Sequence, residues 1–232
     1  MAGLSAIPIV ALDTSNADAA LRIVERLGDR CDFYKVGSEL FTAAGPDMVR
    51  ALRDHGARVF LDLKFHDIPN TVRGAVRSAR GLGASLVTVH ASGGVEMMSA
   101  AVEAAEGAVD VLAVSVLTSH DAVSLGEAWG REALGVREEV LRLAELAVRA
   151  GVPGMVCSGH EAASVRARLG SALALLVPGI RLAGEAAHDQ RRVMTPAAAA
   201  SAGATWVVLG RAVTAAPDPV EAMEQVLGEL GG

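Results

Sequence analysis

Lysine is almost absent from this chain. Of its 21 basic residues only Lys35 and Lys64 are lysines, and the other 19 are arginines. Aromatic residues are scarce too, at 3% against 51% hydrophobic residues overall. A core must therefore be built from Ala, Val, Leu and Ile, a mix that suits buried parallel strands flanked by Ala-rich helices. An apolar content of this size argues against disorder. The two cysteines, Cys31 and Cys157, have no CxxC or Cys/His spacing, so free thiols in a reducing cytoplasm are expected rather than a disulfide or a metal site. There is no HExxH and no His/Cys ligand set, so zinc is not expected. The net charge of −6 offers no broad basic face for nucleic acid. No basic stretch followed by an apolar one suggests export, which points to a soluble cytoplasmic protein. The uncharged run 193–210 contains Thr195, Pro196, Ser201 and Gly203 and divides into a small-residue helix and a strand, so it is not a membrane span. Gly-Ser-Glu at 37–39 and Cys-Ser-Gly-His at 157–160 lack the GxSxG of a hydrolase elbow.

What the sequence does contain is a rhythm. Apolar runs rich in β-branched residues predict strands at Ile7–Asp13, Phe33–Ser38, Arg58–Lys64, Ser85–Ala91, Val111–Leu117, Gly154–Ser158, Ala174–Pro178 and Trp206–Gly210. Helical stretches follow them at Ala17–Leu27, Pro46–His55, Thr71–Leu82, Val95–Glu106, Glu138–Ala150, Glu161–Leu169, Pro196–Ala202 and Val220–Leu230. Gly28, Gly56, Gly83 and Gly151 stop helices ahead of the next strand. Eight such units over 232 residues, with no long linker, favour a single (β/α)8 barrel spanning 1–232 over an open doubly wound sheet. The longest insertion, Thr118 to Arg137, follows the fifth strand and reads either as a lid or as a surface excursion.

Polar residues interrupt this pattern where barrel active sites sit, at the carboxyl ends of the strands. Asp13 ends the first strand, Lys35 lies in the second, and Asp62 and Lys64 end the third. His90 ends the fourth, and Thr118 and Ser119 follow the fifth. A composition that writes nearly every basic residue as Arg has kept Lys at two adjacent strand ends. Only lysine of the two can give up a proton near neutral pH. Within Asp62-Leu63-Lys64-Phe65-His66-Asp67, strand alternation places Asp62 and Lys64 on one face. A buried ion pair that closes the barrel would give the same pattern. Yet Asp13, Lys35 and Asp67 nearby exceed what closure needs. Burial lowers a lysine pKa by about 3–5 units. A carboxylate at about 4 Å, with an effective dielectric near 20, returns roughly three. A lysine between two carboxylates is thus an ammonium acid, not a Schiff-base amine. Mg²⁺ between Asp62 and Asp67 would compete with that lysine for the same oxygens. His66 and His90 fit a hydrogen-bonded structural role as well as a chemical one.

The last two strands carry a different signal. Val177-Pro178-Gly179-Ile180-Arg181 and Leu209-Gly210-Arg211 each place glycine and arginine just beyond a strand. Barrels commonly bind phosphate there, on backbone N–H groups at a helix start, and a guanidinium fork suits phosphate oxygens.

Taken in order, Val10-Ala11-Leu12-Asp13, Tyr34-Lys35-Val36-Gly37, Asp62-Leu63-Lys64-Phe65-His66-Asp67-Ile68-Pro69-Asn70-Thr71, Val89-His90-Ala91, Leu117-Thr118-Ser119, Pro178-Gly179-Ile180-Arg181, Gln190 and Gly210-Arg211 resemble the orotidine 5′-monophosphate decarboxylases along nearly the whole chain. The resemblance implies decarboxylation of orotidine 5′-monophosphate to uridine 5′-monophosphate without metal or cofactor. It implies that Lys64 protonates C6, that Asp62 meets the substrate carboxylate, and that Lys35 and Asp67 complete an alternating charge array. Asp13 and Lys35 would hold the ribose, Thr118 and Ser119 the pyrimidine, and Pro178, Arg181, Gln190, Gly210 and Arg211 the phosphate region. It further implies a homodimer with shared active sites, into which Asp67, Ile68 and Thr71 reach from the partner. Ala212 departs from the proline common after Gly-Arg in relatives, and 118–137 matches only at its start. The Mg²⁺-dependent 3-keto-L-gulonate 6-phosphate decarboxylases and hexulose-phosphate synthases are similar to this chain in the bare DxKxxD pattern.

Overall fold

The computed structural model describes residues 3–131, 135–182 and 194–231. Eight strands follow one another: β1 (Ile7–Ala11), β2 (Phe33–Gly37), β3 (Arg58–Phe65), β4 (Leu86–His90), β5 (Asp110–Val114), β6 (Gly154–Val156), β7 (Ala174–Val177) and β8 (Trp206–Leu209). Each pairs in parallel with its sequence neighbour, and β8 returns to β1 from Ile7↔Trp206 to Val10↔Leu209. The sheet is a closed barrel, and the open-sheet alternative falls.

Around it run α1 (Ala17–Leu27), α2 (Ser38–Ala44), α3 (Pro46–Asp54), α4 (Pro69–Gly81), α5 (Gly94–Ala105), α6 (Ala122–Trp129), α7 (Val136–Arg149), α8 (Gly159–Leu169), α9 (Pro196–Ser201), α10 (Arg211–Thr214) and α11 (Pro219–Gly231). Three of these, α2, α6 and α10, depart from the expected pattern. The segment after β5, expected as a lid or surface excursion, holds α6, which starts on a capping box between Asp121 and Ser124. Helix α4 starts at Pro69, whose missing N–H costs nothing in a first turn. Thr71 therefore sits in the first turn of the helix expected to begin with it, which starts two residues earlier. Several strands stop earlier than the apolar runs suggest, so Asp13 lies two residues past β1.

Inside the barrel, Ile9, Phe33, Phe60, Leu86, Leu112 and Leu176 form a separate apolar cluster. Phe33 and Phe60 each precede by two residues a charged residue of the mouth (Lys35 and Asp62), and Leu86 precedes the buried Thr88 in the same way. Period-two alternation thus stacks an apolar floor beneath a polar rim. Beside Phe33, the Arg58 guanidinium lies 4.4 Å from the ring centroid and donates to Asp32 at 2.9 Å.

One irregularity interrupts the sheet. Leu61 pairs with Val87 and Phe65 with Val89, so Asp62, Leu63 and Lys64 all stand opposite the single residue Thr88. Within this bulge Lys64 adopts φ 51°, in the left-handed region, at a cost of about 1–2 kcal/mol. The alternation argument therefore places Asp62 and Lys64 together correctly, but the backbone that does so is a bulge and not a regular strand.

Candidate active site

A cavity of about 440 Å³ opens at the carboxyl ends of the strands. Strands β2 and β3 contribute Lys35, Asp62 and Lys64 to its lining, and Asp13 comes from just beyond β1. Leu117 and Thr118 come from beyond β5, and Pro178, Gly179, Arg181, Gly210 and Arg211 from the turns after β7 and β8. A single opening thus gathers charge from one side of the barrel and two arginines from the other turns.

The four charged groups form a row of alternating sign. Lys35 Nζ donates to Asp13 Oδ1 at 2.7 Å and stands 3.8 Å from Asp62 Oδ2, which accepts from Lys64 Nζ at 2.8 Å. The inner pair is nearly out of water, with side-chain exposures of 11% for Lys35 and 12% for Asp62. Lys64 is 37% exposed and Asp13 59%. The Lys64 ammonium therefore faces both the cavity and solvent. A Cβ on Gly37 would stand 3.0 Å from Lys35 Nζ and 3.3 Å from Asp13 Oδ1, so the missing side chain there leaves room for the first ion pair.

Thr88, fully buried, organises the other end of the row. Its Oγ1 donates to Asp62 Oδ1 at 2.9 Å and accepts from the backbone N–H of Lys64 at 2.9 Å. His90, two residues on, has its pKa lowered below the usual imidazole value, first by burial and then by the charges of His66 and Lys64, with Asp62 opposing. The two imidazole rings lie 5.3 Å apart.

Beyond β7, Arg181 is buried. Its Nη1 donates to the Ile180 carbonyl at 2.8 Å, and its backbone N–H donates to Met194 O at 3.0 Å. Gly179 turns the chain at φ 78°, where a side chain would be strained. Arg211 opens α10 directly after Gly210.

Of the residues expected at the site, Asp13, Lys35, Asp62, Lys64, Thr118, Pro178, Arg181, Gly210 and Arg211 meet at the cavity. Ser119 is exposed and does not line it. Gln190 lies outside the described residues. The second carboxylate expected beside Lys64 is not supplied by Asp67 of the same chain. Asp67 is exposed and accepts from the Ile68 N–H at 2.6 Å, with no ion pair among the described residues. Ile68, 66% exposed, and the exposed Thr71 are also not among the residues lining this chain's cavity. Sequence reasoning missed Thr88, Thr214 and Cys157. Thr88 was findable, since Leu86 and Thr88 share the inward face of β4. Among the described residues no group of three His, Cys, Asp or Glu side chains could hold a metal ion, and no helix is long and apolar enough to cross a membrane.

A closed parallel barrel with its charged groups gathered at the strands' carboxyl ends defines a (β/α)8-barrel enzyme. Comparison with known proteins narrows this further. Residues 7–226 match the model of the orotidine 5′-phosphate decarboxylase / HUMPS family, and the chain belongs to that family. An orotidine 5′-phosphate decarboxylase of Halorhodospira halophila is 49% identical over 229 residues, covering 96% of this chain and 94% of the relative. One from Anaeromyxobacter sp. (strain K) is 50% identical over 224 residues, covering 95% and 96%. Among solved structures, the orotidine 5′-phosphate decarboxylase from Lactobacillus acidophilus matches with a TM-score of 0.87 at 36% identity, over 98% of this chain and 100% of that one.

Proposed function

We propose that this chain is a carboxy-lyase that converts orotidine 5′-monophosphate to uridine 5′-monophosphate and CO₂, in de novo pyrimidine synthesis, with no metal or organic cofactor. The observation that carries this reading is the row Asp13–Lys35–Asp62–Lys64, which shares one cavity with Arg181 and Arg211. The nucleotide's phosphate binds at the turns after β7 and β8. There Arg211, Arg181 and the N–H groups beyond Gly210 meet it, with Gln190 completing the set. Asp13 and Lys35 take the ribose hydroxyls, and Thr118 and Ser119 address the pyrimidine.

With both ends anchored, the C6 carboxylate lies against Asp62. As the bond from C6 to the carboxyl carbon breaks, its electron pair stays on C6, and Lys64 delivers a proton there. CO₂ leaves, C6–H forms, and the neutral Lys64 amine regains its proton from water, which its partial exposure permits. Asp62 favours turnover in so far as its interactions improve from the bound substrate to the transition state. Lys35 and Thr88 hold that carboxylate in place.

The site is completed in a homodimer, with Asp67, Ile68 and Thr71 reaching into the partner's cavity. The exposure of Asp67 and Ile68 on their own chain supports this arrangement. The deciding experiment follows loss of orotidine 5′-monophosphate absorbance with purified, metal-stripped protein. Turnover unaffected by EDTA is expected. No turnover, or turnover restored only by Mg²⁺, would refute the reading.

A further inference from the structure

Resting on that reading, we infer that Thr88 is a positioning residue for the reaction, whose single hydroxyl sets both the Asp62 carboxylate and the Lys64 backbone in the catalytic arrangement. The bulge makes such a device necessary. Three residues of β3 face one residue of β4, so the regular ladder cannot serve Asp62, Leu63 and Lys64 together. Backbone donors that lose a ladder partner in a buried sheet need a substitute. The Thr88 hydroxyl supplies one, accepting from the Lys64 N–H at 2.9 Å.

The same oxygen uses its proton for Asp62 Oδ1, also at 2.9 Å, while Oδ2 faces both lysines. This division matters. With Oδ1 occupied by a neutral, fully buried donor, the carboxylate plane is fixed and Oδ2 is aimed along the row toward the ammonium groups. The Lys64 φ of 51° is held by the same contact. One side chain therefore ties the charge that meets the substrate to the backbone of the acid that follows it. Thr88 itself does not line the cavity, so it acts through these neighbours and touches no substrate.

A positioning role and a merely structural one separate in the kinetics. Thr88→Val keeps the shape of the side chain and removes the hydroxyl, leaving Asp62 Oδ1 and the Lys64 N–H unpartnered. A defect in the arrangement made for the transition state lowers kcat and leaves KM alone, whereas loss of uniform binding raises KM. We expect kcat for orotidine 5′-monophosphate to fall about 30-fold, which is about 2 kcal/mol. KM and the inhibition constant of uridine 5′-monophosphate should stay within about twofold, which corresponds to about 0.4 kcal/mol. Thr88→Ser, which restores the hydroxyl, should recover kcat to within about threefold of the parent. A valine variant with unchanged kcat overturns the proposal, as does a serine variant no better than valine. Should the valine chain fail to fold, Thr88→Ala against Thr88→Ser makes the same comparison, and equal kcat values for the two would refute it. An unmodified chain with no turnover sinks the parent reading, whereas an active parent matched by an active Thr88→Val sinks only the role of Thr88.

Discussion

Replacing Lys64 by arginine separates the charge of this residue from its proton. The substitution keeps a cation beside Asp62 Oδ2, now 2.8 Å from Lys64 Nζ, and the half-open setting of Lys64 accepts the larger head group. A guanidinium is nevertheless a poorer acid. Free arginine and lysine side chains differ by about 2–3 pKa units, or about 3–4 kcal/mol in the work of releasing a proton. If that whole difference falls on the barrier, kcat drops by about 10²–10³-fold. Lys64→Ala removes the donor and the charge together and should exceed this, with general acid catalysis alone worth about 10²–10⁴-fold. KM should change little in Lys64→Arg, since the arginines at the other turns are untouched. Both variants should fold, because Asp62 keeps Thr88 and Lys35 as partners. The assay is steady-state decarboxylation beside thermal melting. An arginine variant within about fivefold of the parent kcat would show that charge alone suffices, and Lys64 would lose its role as the acid.

Three further outcomes are expected. Arg211→Ala should raise KM about 10–100-fold with a smaller change in kcat, as for loss of a charge-assisted phosphate contact of about 1.5–3 kcal/mol, and an unchanged KM refutes that role. Mixed Lys64→Ala and Asp67→Ala chains should regain up to about a quarter of parental activity after subunit exchange, because one site in a heterodimer is then intact; no regain despite verified exchange counts against shared sites. The lowered pKa of His90 means that the unfolded chain binds a proton before the folded one does. Stability should therefore fall as pH drops below about 6.5, and His90→Gln should flatten that slope in denaturant titrations; an unchanged slope refutes the assignment.

The barrel was legible because buried parallel strands write themselves as continuous apolar runs, and each of the eight is where such a run stands. The helices that escaped notice carry weak marks. Helix α2 follows β2 without a loop, with Gly37 and not a capping side chain at its start. In α6 the capping box runs Asp to Ser, the acidic residue leading. Helix α10 is a single turn of four residues. At the site, scarcity of lysine singled out Lys35 and Lys64, and both are where it placed them. What could not be read was the bulge, since a register shift depends on two strands at once. Thr88 went unnoticed with it. The sequence also placed Asp67 near Lys64 along the chain, but the turn into α4 carries it outward, and nearness in sequence gave no guide to that direction.

That both lysines belong to the charged row has a practical side. Amine-directed chemistry, elsewhere a way to decorate a protein's outside at random, finds its two side-chain targets here in the lining of one cavity. Of these, the 37% exposed Lys64 is the accessible one and the 11% exposed Lys35 the sheltered one. Acylation of either lysine should therefore cost activity, and nucleotide added beforehand should protect against it.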